Sequence, residues 1–118
     1  MIESDVIDFT RTAALGDPST EQGRRALAEI FGIYLENAAA ACADMRRAGT
    51  PDEVRRHAHR AKGASGVVGA VRMSGLFADV EARAAAGETI GADTYDDLES
   101  RLAALRRAAA MQLGMDLK

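Results

Sequence analysis

Apolar residues recur every three or four positions along most of the chain, the period of amphipathic α-helices. Asp17 and Pro18 predict the start of a first long helix, as N-cap and first helical residue. The helix ends at a basic pair before Gly49, which suits the negative end of its dipole. Its apolar stripe contains Leu27, Ile30, Phe31, Tyr34, Leu35, Ala38, Ala41, Cys42 and Met45.

Three more helices follow in the same pattern. Thr50 as a cap, Pro51 at the first position and Glu53 as the second half of a capping box predict a helix that runs to about residue 67. A third helix is expected over about residues 71–86, and a last one begins at a cap formed by Asp93 and frays around residue 114. Apolar residues with helical spacing line the last two: Met73, Leu76, Phe77, Val80, Leu98, Leu102 and Leu105.

A short amphipathic stretch precedes these four helices and predicts an N-terminal helix over about residues 3–15. The loops between the long helices are short, so sequential helices should be antiparallel neighbours. The predicted fold is all-α: one domain over residues 1–118, with an up-down-up-down four-helix bundle over about 18–113.

Composition supports this class and narrows the function. The chain has three Phe, two Tyr and no Trp, and it is rich in alanine, the best helix former. Its net charge of −3 gives no general attraction to nucleic acid. The N-terminus lacks the features of a signal peptide, and the uncharged runs are shorter than the roughly 20 apolar residues of a membrane span. We therefore expect a cytoplasmic protein, with its single Cys42 as a small core residue.

The segment from His57 to Ala70 holds the candidate chemistry. On a helix, four of its residues form one exposed strip: His59, Lys62, Gly63 and Gly66. Two glycines inside a helix reduce its stability, so something other than helix formation favours them. An unobstructed imidazole beside an ammonium group is suited to carry a phosphoryl group.

This segment resembles the signature of the histidine phosphotransfer (HPt) domain family, a helical His-x-x-Lys-Gly-Ser/Ala-Ser followed by a Gly-Ala helix end. The matching residues are His59, Lys62, Gly63, Ala64, Ser65, Gly69 and Ala70. The resemblance implies that His59 accepts a phosphoryl group from the aspartyl phosphate of a response-regulator receiver domain and returns it to another. It further implies that Lys62 offsets phosphoryl charge, that Ser65 is internal, and that Glu81 lies near the His59 strip.

The partners expected from this resemblance are receiver domains and a hybrid histidine kinase. No sequence motif for binding ATP or Mg²⁺ is present, so we expect no cofactor of its own and a Mg²⁺ ion in the partner receiver. The expected docking surface comprises Gly63, Gly66, Arg55, Arg56 and Arg60. The basic residues have a second interpretation as an ordinary solvated helix face.

His57 points away from His59 by the helix period and is expected to pair with Glu53 one turn earlier. The sequence also leaves two alternative functions open. The main alternative function is a helical bundle that binds a kinase or response regulator without being phosphorylated. A second alternative is the dimerisation and phosphotransfer region of a sensor kinase. Such regions are dimers of two-helix hairpins, whereas this chain has enough helices to close a bundle alone, which favours a monomer.

Overall fold

The computed structural model describes residues 7–114, and helices are the only regular secondary structure in that range. A 3-10 helix, Phe9–Thr12, is followed by four α-helices: α1 (Glu21–Arg47), α2 (Pro51–Val67), α3 (Val71–Ala85) and α4 (Ala92–Leu113). Helix α1 packs against α2 and α4, and α3 packs against the same two helices. The short connections make sequential helices antiparallel, so the predicted all-α four-helix bundle is confirmed.

The bundle core is formed by the predicted apolar stripes. Its largest fully buried side chains come from α1, α3 and α4: Phe31, Phe77, Leu27, Met45, Met73, Leu98 and Leu105. Helix α2 contributes small residues instead, with Ala58 and Ala61 buried, so its backbone lies close to its neighbours. Cys42 is fully buried as expected, and burial raises the pKa of its thiol to about 11.

Helix α1 is the one described helix that is long and apolar enough to cross a membrane, with a mean hydropathy of 1.2 in its most apolar window. Its buried residues, which include Leu27, Phe31 and Leu35, belong to the common core of the bundle. This packing accounts for the apolar character of α1, because a helix that packs in a bundle core needs such a stripe.

The start of α1 differs from the prediction. Thr20, not Asp17, is the N-cap, and its side chain accepts a hydrogen bond from the backbone N–H of Gly23. The Asp17 carboxylate accepts hydrogen bonds from the backbone and hydroxyl of Ser19, and thereby forms a turn. Asp and Ser side chains compete with helical hydrogen bonding in this way, so the helix starts three residues after Pro18.

The predicted N-terminal helix is present but much shorter than expected. A helix was expected over residues 3–15, of which 3–6 lie outside the described range, but only Phe9–Thr12 is helical, as a 3-10 turn capped by Asp8. The Asp8 backbone N–H donates to the carbonyl of Gly69, which holds this segment on the α2–α3 turn. Gly69 has a φ of 78°, and a Cβ there would lie 2.3 Å from the Asp8 carbonyl oxygen, so the turn requires glycine.

The remaining helix boundaries follow the sequence closely. Thr50 caps α2 by accepting from the backbone N–H of Glu53, as predicted. Helix α3 ends at Ala85, one residue early, and α4 ends before Gly114 in the left-handed conformation. The start of α4 is the exception: its N-cap is Gly91, and Asp93 lies inside the first turn, where a carboxylate suits the positive end of the helix dipole.

Candidate functional site

His59 lies on the exposed side of α2, in the middle of the helix. The opposite side is buried through Val54, Ala58, Ala61 and Ser65, which fixes the rotation of α2 about its own axis. The side chain of His59 is 63% exposed as a result. The helical period therefore places this imidazole where a partner protein can reach it.

Ser65 fixes the buried side of α2 through hydrogen bonds. Its hydroxyl donates to the carbonyl of Ala61 at 2.7 Å and lies 2.6 Å from the hydroxyl of Tyr34 on α1. Since the Ser65 hydrogen is used on Ala61, Tyr34 is the donor to Ser65. The prediction that Ser65 is internal is confirmed, and its hydroxyl bonds to the backbone.

Glu81 on α3 connects the two polar residues of the strip. Its Oε2 lies 2.7 Å from Nδ1 of His59, and its Oε1 lies 2.7 Å from Nζ of Lys62. The expected closeness of Glu81 to the His59 strip is confirmed. One carboxylate thus holds both an imidazole and an ammonium group, and it is itself only 20% exposed.

These contacts fix the charge state and the tautomer at the site. The hydrogen bond from Lys62, followed by that from His59, lowers the pKa of the Glu81 carboxyl below its ordinary value. An ionised carboxylate only accepts hydrogen bonds, so Nδ1 of His59 must be the donor. In the neutral imidazole the lone pair then resides on Nε2, the nitrogen that Glu81 does not contact.

Lys62 is also held through its backbone. Its carbonyl oxygen accepts a hydrogen bond of 3.1 Å from the hydroxyl of Ser74 on α3. Ser74 was not predicted from the sequence, although its distance from the turn indicates that it faces Lys62. In a helical hairpin with its turn at Gly69, residues at similar distances from the turn face each other, as His59 and Glu81 do.

The two glycines of the strip have different surroundings. Gly63 is exposed, and a Cβ added there would have no atom within 4 Å. Gly66 is half-buried, and a Cβ there would lie 3.8 Å from the hydroxyl of Ser74 and 3.9 Å from the guanidinium of Arg11. Gly63 therefore leaves open surface one turn from His59, whereas Gly66 lies at the edge of that surface, towards α3.

The predicted basic residues lie around His59 on α2. Arg55 and Arg56 both pair with Asp52, at 3.0 and 3.4 Å, and Arg60 is exposed. These arginines border a shallow surface depression of about 580 Å³ next to His59. The depression is lined by Glu53, Arg55, Arg56, His57, His59 and Arg60. The site thus combines an exposed imidazole with a locally basic helix.

The expected pair between His57 and Glu53 does not form. Nδ1 of His57 lies 3.0 Å from the guanidinium of Arg60, and Glu53 turns back to accept from the backbone N–H of Gly49 at 3.4 Å. An unpaired N–H at the helix start competes for the carboxylate, which accounts for the difference. His57 lies on the α1 side of α2 and takes no part in the Glu81 contacts.

Among residues 7–114, no group of three or more His, Cys, Asp or Glu side chains is placed so that it could hold a metal ion.

Searches of curated proteins and of solved structures found no match to the chain. A comparison with protein families matches the Hpt domain over residues 29–111, which includes all of α2 and α3 and most of α1 and α4. The chain therefore belongs to the Hpt domain family, whose members are histidine phosphotransfer modules of phosphorelays.

Proposed function

We propose that His59 accepts a phosphoryl group from the aspartyl phosphate of a receiver domain and passes it to a second receiver. The observation that carries this proposal is the contact between Nδ1 of His59 and Glu81, which leaves Nε2 of an exposed ring free to act as the nucleophile. His57 offers no such arrangement, because its Nδ1 faces the guanidinium of Arg60.

The transfer step follows from this tautomer. The lone pair of Nε2 attacks phosphorus in line with the oxygen of the partner's aspartyl phosphate. The new N–P bond forms as the P–O bond breaks, and the receiver recovers its aspartate carboxylate. The Nδ1 proton stays on the ring, facing Glu81. In this proposal the receiver supplies the Mg²⁺ that neutralises phosphoryl charge.

Lys62 provides a second charge at the site. Its Nζ is held 2.7 Å from Glu81, one helical turn from His59, and its side chain is 35% exposed. A flexible ammonium group in this position can turn from Glu81 towards phosphoryl oxygens once the ring is phosphorylated. We therefore assign Lys62 the role of charge partner of the phosphoryl group.

The receiver docks over Gly63, where α2 has no side chain to keep it away from the ring, with Gly66 at the edge of the contact. Arg55, Arg56 and Arg60, which line the depression beside His59, attract the acidic pocket of a receiver, an effect that salt should weaken. We infer that the protein acts as a cytoplasmic monomer between receivers and a hybrid histidine kinase, with no resident cofactor.

The proposal is tested by incubation with phosphorylated receiver domains. The protein should acquire a phosphoryl group that is labile in acid and stable in base, as a phosphoramidate is. His59→Gln should abolish labelling and leave the helicity unchanged, because the ring is exposed. His57→Gln is the matched control and should label normally. Receiver binding without labelling of the wild-type protein would instead support the non-phosphorylated interaction module.

A further inference from the structure

Glu81 bears on the second half of the relay as well as the first. Its carboxylate contacts the ring nitrogen opposite the proposed site of phosphorylation, at 2.7 Å. In the unphosphorylated protein Lys62 holds the second oxygen, so the carboxylate already faces the ring before the phosphoryl group arrives. Since Lys62 also lowers the pKa of Glu81, a permanent negative charge faces Nδ1 at any pH near neutrality.

The chemistry of the ring makes this charge important. When Nε2 of the neutral imidazole takes the phosphoryl group, the ring still holds its Nδ1 proton and therefore carries a positive charge. In onward transfer the electrons of the N–P bond return to the ring while an aspartate oxygen of the second receiver bonds to phosphorus. With the proton in place, the ring leaves as neutral imidazole. Without it, the ring would have to leave as an imidazolate anion, a much poorer leaving group.

We propose that Glu81 retains the Nδ1 proton on the phosphorylated ring of His59 and thereby keeps the phosphoryl group transferable to the second receiver at neutral and mildly alkaline pH. The inference rests on the proposed function of His59. Glu81 is a positioning residue here, because it acts on phosphorus only through the imidazole.

The other charged groups around the ring do not cancel this effect. Arg55 and Arg56 are paired with Asp52, and Arg60 faces His57. Lys62 bonds to the far oxygen of Glu81 before phosphorylation, and afterwards its charge is offset by the negative phosphoryl oxygens that it contacts in the proposed function. Glu81 is the acid in direct contact with the ring, and an opposite charge at this distance favours the charged form of the ring. The groups that face the ring or line its surface depression are Glu81 from α3 and Glu53, Arg55, Arg56, His57, Arg60 and Lys62 from α2.

The first measurement follows the ring proton directly. The full chain is phosphorylated with phosphoramidate, and the ³¹P shift of the phosphohistidine is recorded against pH for the wild type, Glu81→Gln and Asp79→Asn. Asp79→Asn is the matched control, because it removes the same charge from the same helix at a residue that pairs with Arg83. We expect the midpoint of Glu81→Gln to fall by about one pH unit or more, and that of Asp79→Asn to stay with the wild type.

The second measurement follows onward transfer. Each phosphorylated protein is mixed with unphosphorylated receiver domain and Mg²⁺, and the transfer rate is measured against pH. Glu81→Gln should lose activity at a lower pH than the wild type and regain nearly the wild-type rate in mild acid, where the ring is protonated without help. A loss of positioning alone would lower the rate equally at every pH.

The outcomes separate this inference from the proposed function. If the wild type acquires no phosphoryl group on His59, both fail. If His59 is phosphorylated but the midpoints and pH profiles of wild type and Glu81→Gln coincide, the role of Glu81 in onward transfer is refuted and the phosphoacceptor assignment stands.

Discussion

A substitution at Gly63 distinguishes the effect of this residue on folding from its effect on docking. The stability of the protein and its rate of phosphoryl transfer should change in opposite directions. The residue lies inside α2 with ordinary helical backbone, since its φ is not positive, and a Cβ there would contact nothing within 4 Å. Replacing a helical glycine by a good helix former stabilises a protein by about 0.5–1 kcal/mol. For a domain of this size, that gain raises the melting temperature by a few degrees, roughly 2–6 °C.

Gly63→Gln should therefore melt higher and transfer more slowly. The new side chain stands one turn from His59, on the surface that a receiver must approach, and misplacement of reacting groups by about 1 Å can cost about 100-fold in rate. We expect transfer to slow by at least about tenfold, with no rescue by added salt because the obstruction is steric. The assay is thermal unfolding by circular dichroism together with the transfer rate from a phosphorylated receiver.

Gly32→Gln provides the matched control. Gly32 lies inside α1, and a Cβ there also has no neighbour within 4 Å. It precedes Leu35 by one turn, and Leu35 lines the groove between α1 and α4, away from α2. This variant should gain similar stability and transfer at the wild-type rate. A Gly63→Gln protein that transfers normally, whether stabilised or destabilised, would refute the docking role of Gly63.

Three further predictions concern charge, buried hydroxyls and pH. Lys62→Ala should slow transfer or shorten the phosphohistidine lifetime by several-fold at most, since a half-exposed contact contributes about 1 kcal/mol; unchanged rate and lifetime would remove Lys62 from the site. Ser65→Ala should lower the unfolding free energy in urea by about 1–3 kcal/mol, because it strands the buried Tyr34 hydroxyl; a neutral effect would contradict that. Burial raises the pKa of Tyr34 to about 12, so the free energy of unfolding should fall as pH rises from about 10 to 12. Tyr34→Phe should reduce this dependence on pH, and an equal dependence in both proteins would contradict the prediction.

Much of the fold was predictable because helical period and helix ends are local signals. The Thr50 cap and the apolar stripe of α1 required no knowledge of the rest of the chain. The errors lie where side chains compete for backbone groups. Asp17 could cap a helix or form a turn with Ser19, and the sequence does not show which arrangement packs better. The N-terminal segment depends on its contact with Gly69, a tertiary interaction without a local signal.

The candidate site was predictable to the extent that it follows from one helix. The spacing of His59 and Lys62 places both on one strip of α2, and the resemblance supplied their roles. The contact of both with Glu81 depends on the register between α2 and α3, which the short turn restricts but does not fix. The pair of His57 with Arg60 was missed because Glu53 satisfies the start of α2 instead.

The central claim is that the phosphoryl group passes through His59, and a two-receiver pulse-chase tests it most directly. A radiolabelled, phosphorylated receiver is mixed with this protein and an unlabelled second receiver that does not exchange phosphate with the first. We expect label to appear on the protein, then on the second receiver, with the protein's label decaying as the second receiver's rises. His57→Gln should behave as the wild type, and His59→Gln should stop the relay completely. Transfer to the second receiver through His59→Gln at the wild-type rate would contradict the account.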